Sequence, residues 1–253
     1  MKTITSRRNP LCVHLKKLGS SNSYRKQSGE FLCDGIKLLE DAVKGFADIP
    51  VVLTSADIPF PLSVNTKLFY TDKKLLNSLS PLKQSQDVLF SCKIPEMSTI
   101  TDVKGTHILL EHLQDPGNVG TIIRTANAFG INTVMLFGDC ADPYNPKTIR
   151  GSMGSIFRQD IRIVDSAALK TFKESGMKII GAALSDDCRD FTEVSYENTI
   201  IAIGNEGSGL SDDILALCDE KIMIPISKDS ESLNAAVAAA IIMQKARCNY
   251  VCT

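Results

Sequence analysis

No apolar run in this 253-residue chain approaches the roughly 18–20 residues that a membrane-spanning helix needs. No membrane partner is therefore expected. The first residues, Met1-Lys2-Thr3-Ile4-Thr5-Ser6-Arg7-Arg8, lack the long apolar segment of a signal peptide. Both absences point to a soluble, cytoplasmic protein. Histidine is scarce, with only His14, His107 and His112. The eight cysteines, Cys12, Cys33, Cys92, Cys140, Cys188, Cys218, Cys248 and Cys252, contain no Cys-x-x-Cys pair. A zinc site needs ligands clustered at short spacing, so no metal is expected. The thiols read instead as small buried or idle groups in a reducing compartment. There is no internal repeat and no low-complexity tract.

Acidic residues are absent from the first 28 positions, which carry Lys2, Arg7, Arg8, Lys16, Lys17, Arg25 and Lys26. The other 225 residues hold 21 basic and 29 acidic groups. A basic end on an acidic body suits a polyanion held at that end. A solvated basic helix face has the same composition. With 43% hydrophobic residues, the chain has enough apolar matter for one large domain or two modest ones.

Asn9-Pro10 reads as a helix cap with proline at the first helical position, opening a helix that runs to Gly19. Ser20-Ser21-Asn22-Ser23 reads as a break. Strands are expected at 30–33, 51–54, 67–70 and 88–92, with helices at 36–46 and 73–79. These make a small α/β domain over residues 1–95. Residues 96–104 form the linker. Beyond it, strands at 107–111, 132–137, 159–164, 178–184, 199–203 and 221–224 alternate with helices at 118–129, 146–153, 166–175, 211–217 and 232–247. Such alternation predicts a mostly parallel sheet covered on both faces over 105–253.

Three strand-to-helix junctions carry candidate chemistry. In the first, Asp115-Pro116-Gly117-Asn118 precedes a helix with an apolar stripe of Val119, Ile122, Ile123, Ala126 and Phe129. Arg124 falls opposite that stripe. It is either an exposed charge on a covering helix or a chemical group, and periodicity leaves both open. Asn118 and Arg124 are six residues apart and converge only if Asn118 belongs to the loop. In the second, Gly204-Asn205-Glu206-Gly207-Ser208-Gly209 follows a buried strand, and Ser211 suits a cap. Glu206 replaces the central glycine of a dinucleotide loop, where a carboxylate repels pyrophosphate. It suits a cationic ligand or one with hydroxyl donors. In the third, Ile224-Pro225-Ile226 leads to Ser232-Leu233-Asn234 and an alanine-rich helix, with Ser232 as the expected cap. Asn234, a poor helix former, is out of place near a first turn. Lys147 and Arg150 are further candidates for phosphate contact.

These motifs, Asp-Pro-Gly-Asn-Val-Gly-x-x-x-Arg-Thr-Ala at 115–126, Gly-Asn-Glu-Gly-Ser-Gly-Leu-Ser at 204–211 and Ile-Pro-Ile…Glu-Ser-Leu-Asn-Ala-Ala-Val-Ala at 224–238, stand in family order and spacing. The chain resembles SpoU-type (TrmH-type) RNA ribose methyltransferases of the SPOUT superfamily. Asn-Pro-Lys-x-x-Arg-x-Ser-Met-Gly at 145–154 fits as well. Ser-Arg-Arg-Asn-Pro at 6–10 and the stretch from Tyr24 to Leu32 resemble the family's ribosomal-protein-like substrate-binding domain. The likeness therefore spans nearly the whole chain.

The resemblance implies an α/β fold with a deep trefoil knot, which the general rule against knots would exclude. It also implies a homodimer with sites at its interface, S-adenosylmethionine as cofactor, and ribosomal RNA as the substrate. By motif position, Gly204, Ile224, Leu233 and Asn234 would contact the cofactor. Arg124, Asn118, Glu206, Ser232 and Asn234 would form the catalytic group, with Arg124 in the family's proton-accepting role. Arginine stays protonated in proteins, with a pKa above ~12, so a phosphate-orienting role stands beside that one. Arg7, Arg8, Lys16, Lys17, Arg25, Lys147 and Arg150 would face RNA. One position departs: Lys228 stands where the family has glycine. Competing readings are a transfer-RNA methyltransferase, a catalytically silent RNA-binding relative and, from the glycine turn alone, a nucleotide-dependent oxidoreductase.

Overall fold

The computed structural model describes residues 2–96, 104–185, 187–227, 229 and 232–251, with the last helix's side chains described through Arg247. Lys228 and most of the linker, residues 97–103, lie outside the described residues, as do the side chain of Cys248 and all of Cys252. The chain divides into two compact units. One comprises residues 1–96 with 142–158, the other 97–141 with 159–253.

The elements of the first stretch are β1 (Lys2–Thr3), α1 (Pro10–Ser20), α2 (Asn22–Ser28), β2 (Glu30–Asp34), α3 (Ile36–Lys44), β3 (Val51–Thr54), β4 (Lys67–Tyr70), α4 (Lys73–Leu79) and β5 (Val88–Lys93). Asn9 caps α1 by accepting from the Leu11 amide, as the Asn-Pro pair predicts. The expected break at 20–23 is instead the junction of two helices. Ser21 ends α1 and accepts from the Tyr24 amide to start α2, which Gly29 closes at φ 64°. The five strands pair in the order β1-β4-β3-β5-β2. Strand alternation splits the core into two layers. Leu32, Leu53 and Leu89 pack with α1 and α4 on one face, and Phe31, Val52, Phe90 and Cys92 pack on the other.

The second stretch contains β6 (Thr106–Glu111), α5 (Pro116–Phe129), β7 (Thr133–Phe137), α6 (Pro146–Ser152), β8 (Asp160–Val164), α7 (Ser166–Glu174), β9 (Lys178–Ala182), β10 (Arg189–Asp190), β11 (Thr199–Ile203), α8 (Asp212–Leu217), β12 (Glu220–Met223) and α9 (Ala235–Val251). Its seven strands run β10-β12-β9-β11-β6-β7-β8, and every pairing is parallel. All six residues of β6 and all five of β11 are buried. Within them Ile108-Leu109-Leu110 and Ile200-Ile201-Ala202-Ile203 are apolar runs, because both faces of a parallel sheet are covered. Parallel register puts the carboxyl ends of β12, β9, β11 and β6 at one edge, with Ile203 beside Leu110 and Ile222 beside Ala182. The loops that follow them gather there, where open α/β sheets bind ligands.

Residues 142–158 leave this sequence of elements and pack with the first unit. Ile149 enters its core, and the Tyr144 ring lies 4.8 Å from that of Phe31. Arg25 is the fastener. Its Nε and Nη2 donate to Asp142 Oδ2 at 2.8 and 2.6 Å, and its Nη1 donates to the Leu18 carbonyl at 2.7 Å. Arg25 is 3% exposed, so its expected place among the RNA-facing bases is corrected. Charge content alone does not reveal that a guanidinium is consumed inside the fold. Removing it would strand a carboxylate with little access to water. Arg25→Ala should therefore lose about 3–5 kcal/mol of stability in urea unfolding. Lys26→Ala, an exposed change on α2, should change it by less than ~0.5 kcal/mol.

Candidate functional site

At the edge where the strands end, a cavity of about 630 Å³ opens in the second unit. Gly204, Glu206, Ile224, Ser232 and Leu233 lie on its wall. Its apolar surfaces include Leu210, Ile222 and Ile242. Such a volume is ordinary for a small-molecule site.

The loop at 204–209 is folded back on itself. The Asn205 amide donates to the Gly209 carbonyl at 2.9 Å, and the Gly209 amide returns the bond to Asn205 at 3.0 Å. Asn205 Oδ1 accepts from the amides of Gly207 and Ser208, while its Nδ2 donates to the His112 carbonyl at 2.8 Å. Gly204 admits no side chain. A Cβ there would lie 2.1 Å from the Gly209 carbonyl carbon and 2.3 Å from the Leu210 nitrogen. Behind the loop, the buried Glu111 carboxylate accepts from the amide and hydroxyl of Ser211. Ser211 caps α8 as its position predicts.

Three motifs meet through side chains. Asn118 Nδ2 donates to Glu206 Oε1 at 3.0 Å, and Asn234 Nδ2 donates to Asn118 Oδ1 at 3.2 Å. Residues 88 and 116 positions apart in sequence are thereby joined. Asn118 does not belong to a loop, however. Asp115 caps α5 by accepting from the Gly117 and Asn118 amides, with Pro116 at the first position. Asn118 thus lies in the first helical turn. Six residues of helix turn Arg124 through about 600°, or 240° net, and move it ~9 Å along the axis. The two side chains therefore do not share a face. Arg124 is exposed and makes no hydrogen bond or ion pair among the described residues.

Asn234 resolves its own oddity. It is the cap of α9, its Oδ1 accepting from the Ala236 and Val237 amides at 3.0 and 3.3 Å. Asparagine is favoured at that position and disfavoured one turn later. The cap expected at Ser232 is corrected accordingly, and Ser232 stands on the cavity wall instead. Asn234 is not on that wall and reaches Glu206 through Asn118. Arg7, Arg8, Lys16, Lys17, Lys147 and Arg150 are exposed, all in the first unit.

Sequence patterns missed the loop after β9. Ala182, Ala183, Leu184 and Ser185 line the cavity but carry no motif. Asn205 was legible only as part of the glycine turn. Four of the described cysteines are poor nucleophiles. Burial, with Asp219 adding to it, pushes the Cys218 thiol up to about 11, and burial raises Cys12, Cys33 and Cys140 as well.

The chain is similar to several known proteins. Residues 105–244 match the model of the SpoU rRNA methylase family. The 23S rRNA (guanosine(2553)-2'-O)-methyltransferase RlmP of Bacillus subtilis is 31% identical over 250 residues, which cover 98% of this chain and 100% of that protein. The SpoU methyltransferase AviRb of Streptomyces viridochromogenes, solved in complex with AdoMet, superposes with a TM-score of 0.85 at 27% identity over 96% of this chain and 99% of that one. An AdoMet-bound rRNA methyltransferase from Sinorhizobium meliloti shares the fold, with a TM-score of 0.88 at 23% identity over 99% of this chain and 98% of that one. The family model spans more than half of the chain and the bacillar relative nearly all of it, so the protein belongs to the SpoU rRNA methylase family.

Proposed function

We propose that this protein methylates a ribose 2′-hydroxyl of RNA, and that the RNA is 23S ribosomal RNA, using S-adenosylmethionine. The observation that carries the reading is the convergence of Asn118, Glu206 and Asn234 beside a cavity walled by Gly204, Ile224, Ser232 and Leu233. Full-length similarity to a 23S rRNA ribose methyltransferase favours the ribosomal substrate over transfer RNA.

The cavity suits the cofactor. Its apolar wall fits a heteroaromatic base, the bare backbone at Gly204 permits close approach, and Glu206 contributes negative charge. Gly204, Ile224 and Leu233 would hold it. When bound, S-adenosylmethionine supplies the methyl group as a cationic sulfonium. The Glu206 carboxylate, oriented by the Asn118 amide, favours positive charge and accepts hydrogen bonds from hydroxyls. Ser232 adds a hydroxyl on the same wall. A ribose hydroxyl is a weak nucleophile and gains from being aligned and relieved of its proton.

Arg124 supplies the charge that orients the RNA backbone, since a guanidinium holds phosphate in two-point contact and keeps its proton. It acts across a homodimer, at the cavity of the partner protomer. Two features support this reading. Arg124 is turned away from its own Asn118, and α9, which packs on α5, exposes Val237 among small alanines. The exposed bases of the first unit bind flanking phosphates, so affinity falls with salt.

Calorimetry with S-adenosylmethionine should give one site per chain. Mapping of ribose methylation in cells with and without the gene should show one 23S rRNA nucleotide losing its 2′-O-methyl group. Absence of cofactor binding would overturn the catalytic reading in favour of a silent RNA-binding relative.

A further inference from the structure

Among the described residues, five that are not glycine have left-handed backbone: Phe46, Asp87, His112, Met153 and Asn198. Aspartate, histidine and asparagine tolerate that conformation, whereas phenylalanine and methionine rarely adopt it. Phe46, at φ 55°, is 95% exposed, and Met153, at φ 47°, is 55% exposed. Neither gains burial in return. Each ends a helix, Met153 as the cap of α6 and Phe46 one residue past the Gly45 cap of α3, positions where glycine is usual and a large exposed side chain is not.

Both belong to the first unit, on turns that meet. A Cβ on Gly45 would lie 2.9 Å from Phe157 Cβ, and one on Gly154 would lie 2.4 Å from Asp41 Oδ2. The two glycines let the turns close up, and Arg158 Nη1 lies 3.8 Å from Asp41 Oδ1 across them. Phe46 directly follows the first glycine and Met153 directly precedes the second. The surroundings are cationic as well as apolar. Helix α6 exposes Lys147 and Arg150 and ends one residue before Met153, and Arg158 is half exposed. Lys44 is exposed too, paired with Glu40.

We infer that these paired turns are a stacking platform for an unpaired RNA base. The aromatic face of Phe46 takes the base, Met153 supports it, and Arg150 with Lys147 takes the adjoining phosphates. An unstacked base offers a flat apolar face beside negative charge, which is the chemistry such a surface recognises. A protein partner would need a larger contiguous apolar patch than two side chains rimmed by charge. The inference rests on RNA being the substrate and goes further. It locates a contact selective for single strands, away from the methyl-transfer cavity in sequence and in structural unit.

The chain contains no tryptophan, so Phe46→Trp creates a sole indole reporter in the full-length protein. The probes are a mixed-sequence RNA of about 12 nucleotides, single-stranded or annealed to its complement, within the span of known single-strand sites. Phe46→Trp emission should be quenched saturably by the single strand. Phe46→Ala should weaken single-strand binding about tenfold, the worth of one stacked base, and leave duplex binding within about twofold. Phe46→Gly should bind single strands as poorly, with a melting temperature equal to or above wild type, because glycine takes positive φ freely. That result separates a contact residue from a structural one. The platform is overturned if Phe46→Ala binds single strands as wild type does. It is equally overturned if indole emission stays flat at saturating RNA, or shifts with protein concentration alone, which would make a second copy the occupant. Wild-type protein that binds neither RNA overturns the substrate reading as well.

Discussion

Replacing Arg124 by alanine is expected to lower methyl transfer by about 10²–10³-fold, the usual loss when one charge-stabilising donor is removed. Affinity for S-adenosylmethionine should stay within about twofold, since Arg124 is not on the cavity wall. Arg124→Lys separates the two roles open to this side chain. A lysine keeps the charge and loses the two-point geometry. Substantial activity in that variant, with an unchanged pH profile, would mean that charge and orientation matter. A new limb in the pH profile near the lysine's own titration would instead mean that proton removal is the task. The dimer reading has a sharper test. Arg124→Ala and Glu206→Ala should each be inactive alone. If Arg124 serves the partner's cavity, a mixed dimer has one intact site, and random exchange in a two-fold dimer restores about a quarter of wild-type activity. Mixtures with proven subunit exchange that stay as inactive as their parents would place Arg124 in its own chain's site.

That test is needed because the sequence could not place Arg124. Its helical phase showed a residue opposite the apolar stripe, and the structure agrees that it is exposed. Local pattern was informative wherever one residue sets one bond. Asn9 and Ser211 cap helices where spacing puts them, and β6 and β11 lie on their expected apolar runs. It failed where two local rules competed. The serine-rich stretch at 20–23 looked like a break, yet the same chemistry makes Ser21 a cap. Ser232 was the expected cap and Asn234 looked out of place in a first turn, yet α9 begins at Ala235 and Asn234 is its cap. It failed again where the decisive partner is remote. Nothing near Arg25 reveals Asp142, 117 residues away, so a buried clamp looked like one more base for RNA. The wall formed by residues 182–185 was illegible for the same reason, because parallel register alone brings the end of β9 to the cavity.

Two glycines on that wall should answer one substitution in opposite ways. Gly204 is pressed against backbone. A methyl group there would meet the Gly209 carbonyl oxygen at 2.3 Å and the Leu210 nitrogen at 2.3 Å, and these are main-chain atoms with no rotamer to escape into. Relief requires the turn to open, which breaks the reciprocal pair of bonds between Asn205 and Gly209. Overpacking of this kind costs about 1–3 kcal/mol. With each ~1.4 kcal/mol worth tenfold in affinity, Gly204→Ala should weaken S-adenosylmethionine binding by about 5- to 150-fold. Gly207 lines the same cavity, but a Cβ there meets nothing nearer than Asn205 Oδ1 at 3.6 Å, an ordinary contact. Gly207→Ala should therefore bind within about threefold of wild type, since an alanine without a clash perturbs little. Gly209→Asn probes the third constraint. Its φ of 71° excludes most side chains, nothing crowds a Cβ there, and asparagine tolerates left-handed backbone. It should bind better than Gly204→Ala and less well than Gly207→Ala. Calorimetry on the three variants, with melting temperatures to confirm folding, ranks them. Equal affinities for Gly204→Ala and Gly207→Ala would mean that the folded-back turn does not shape the cofactor site.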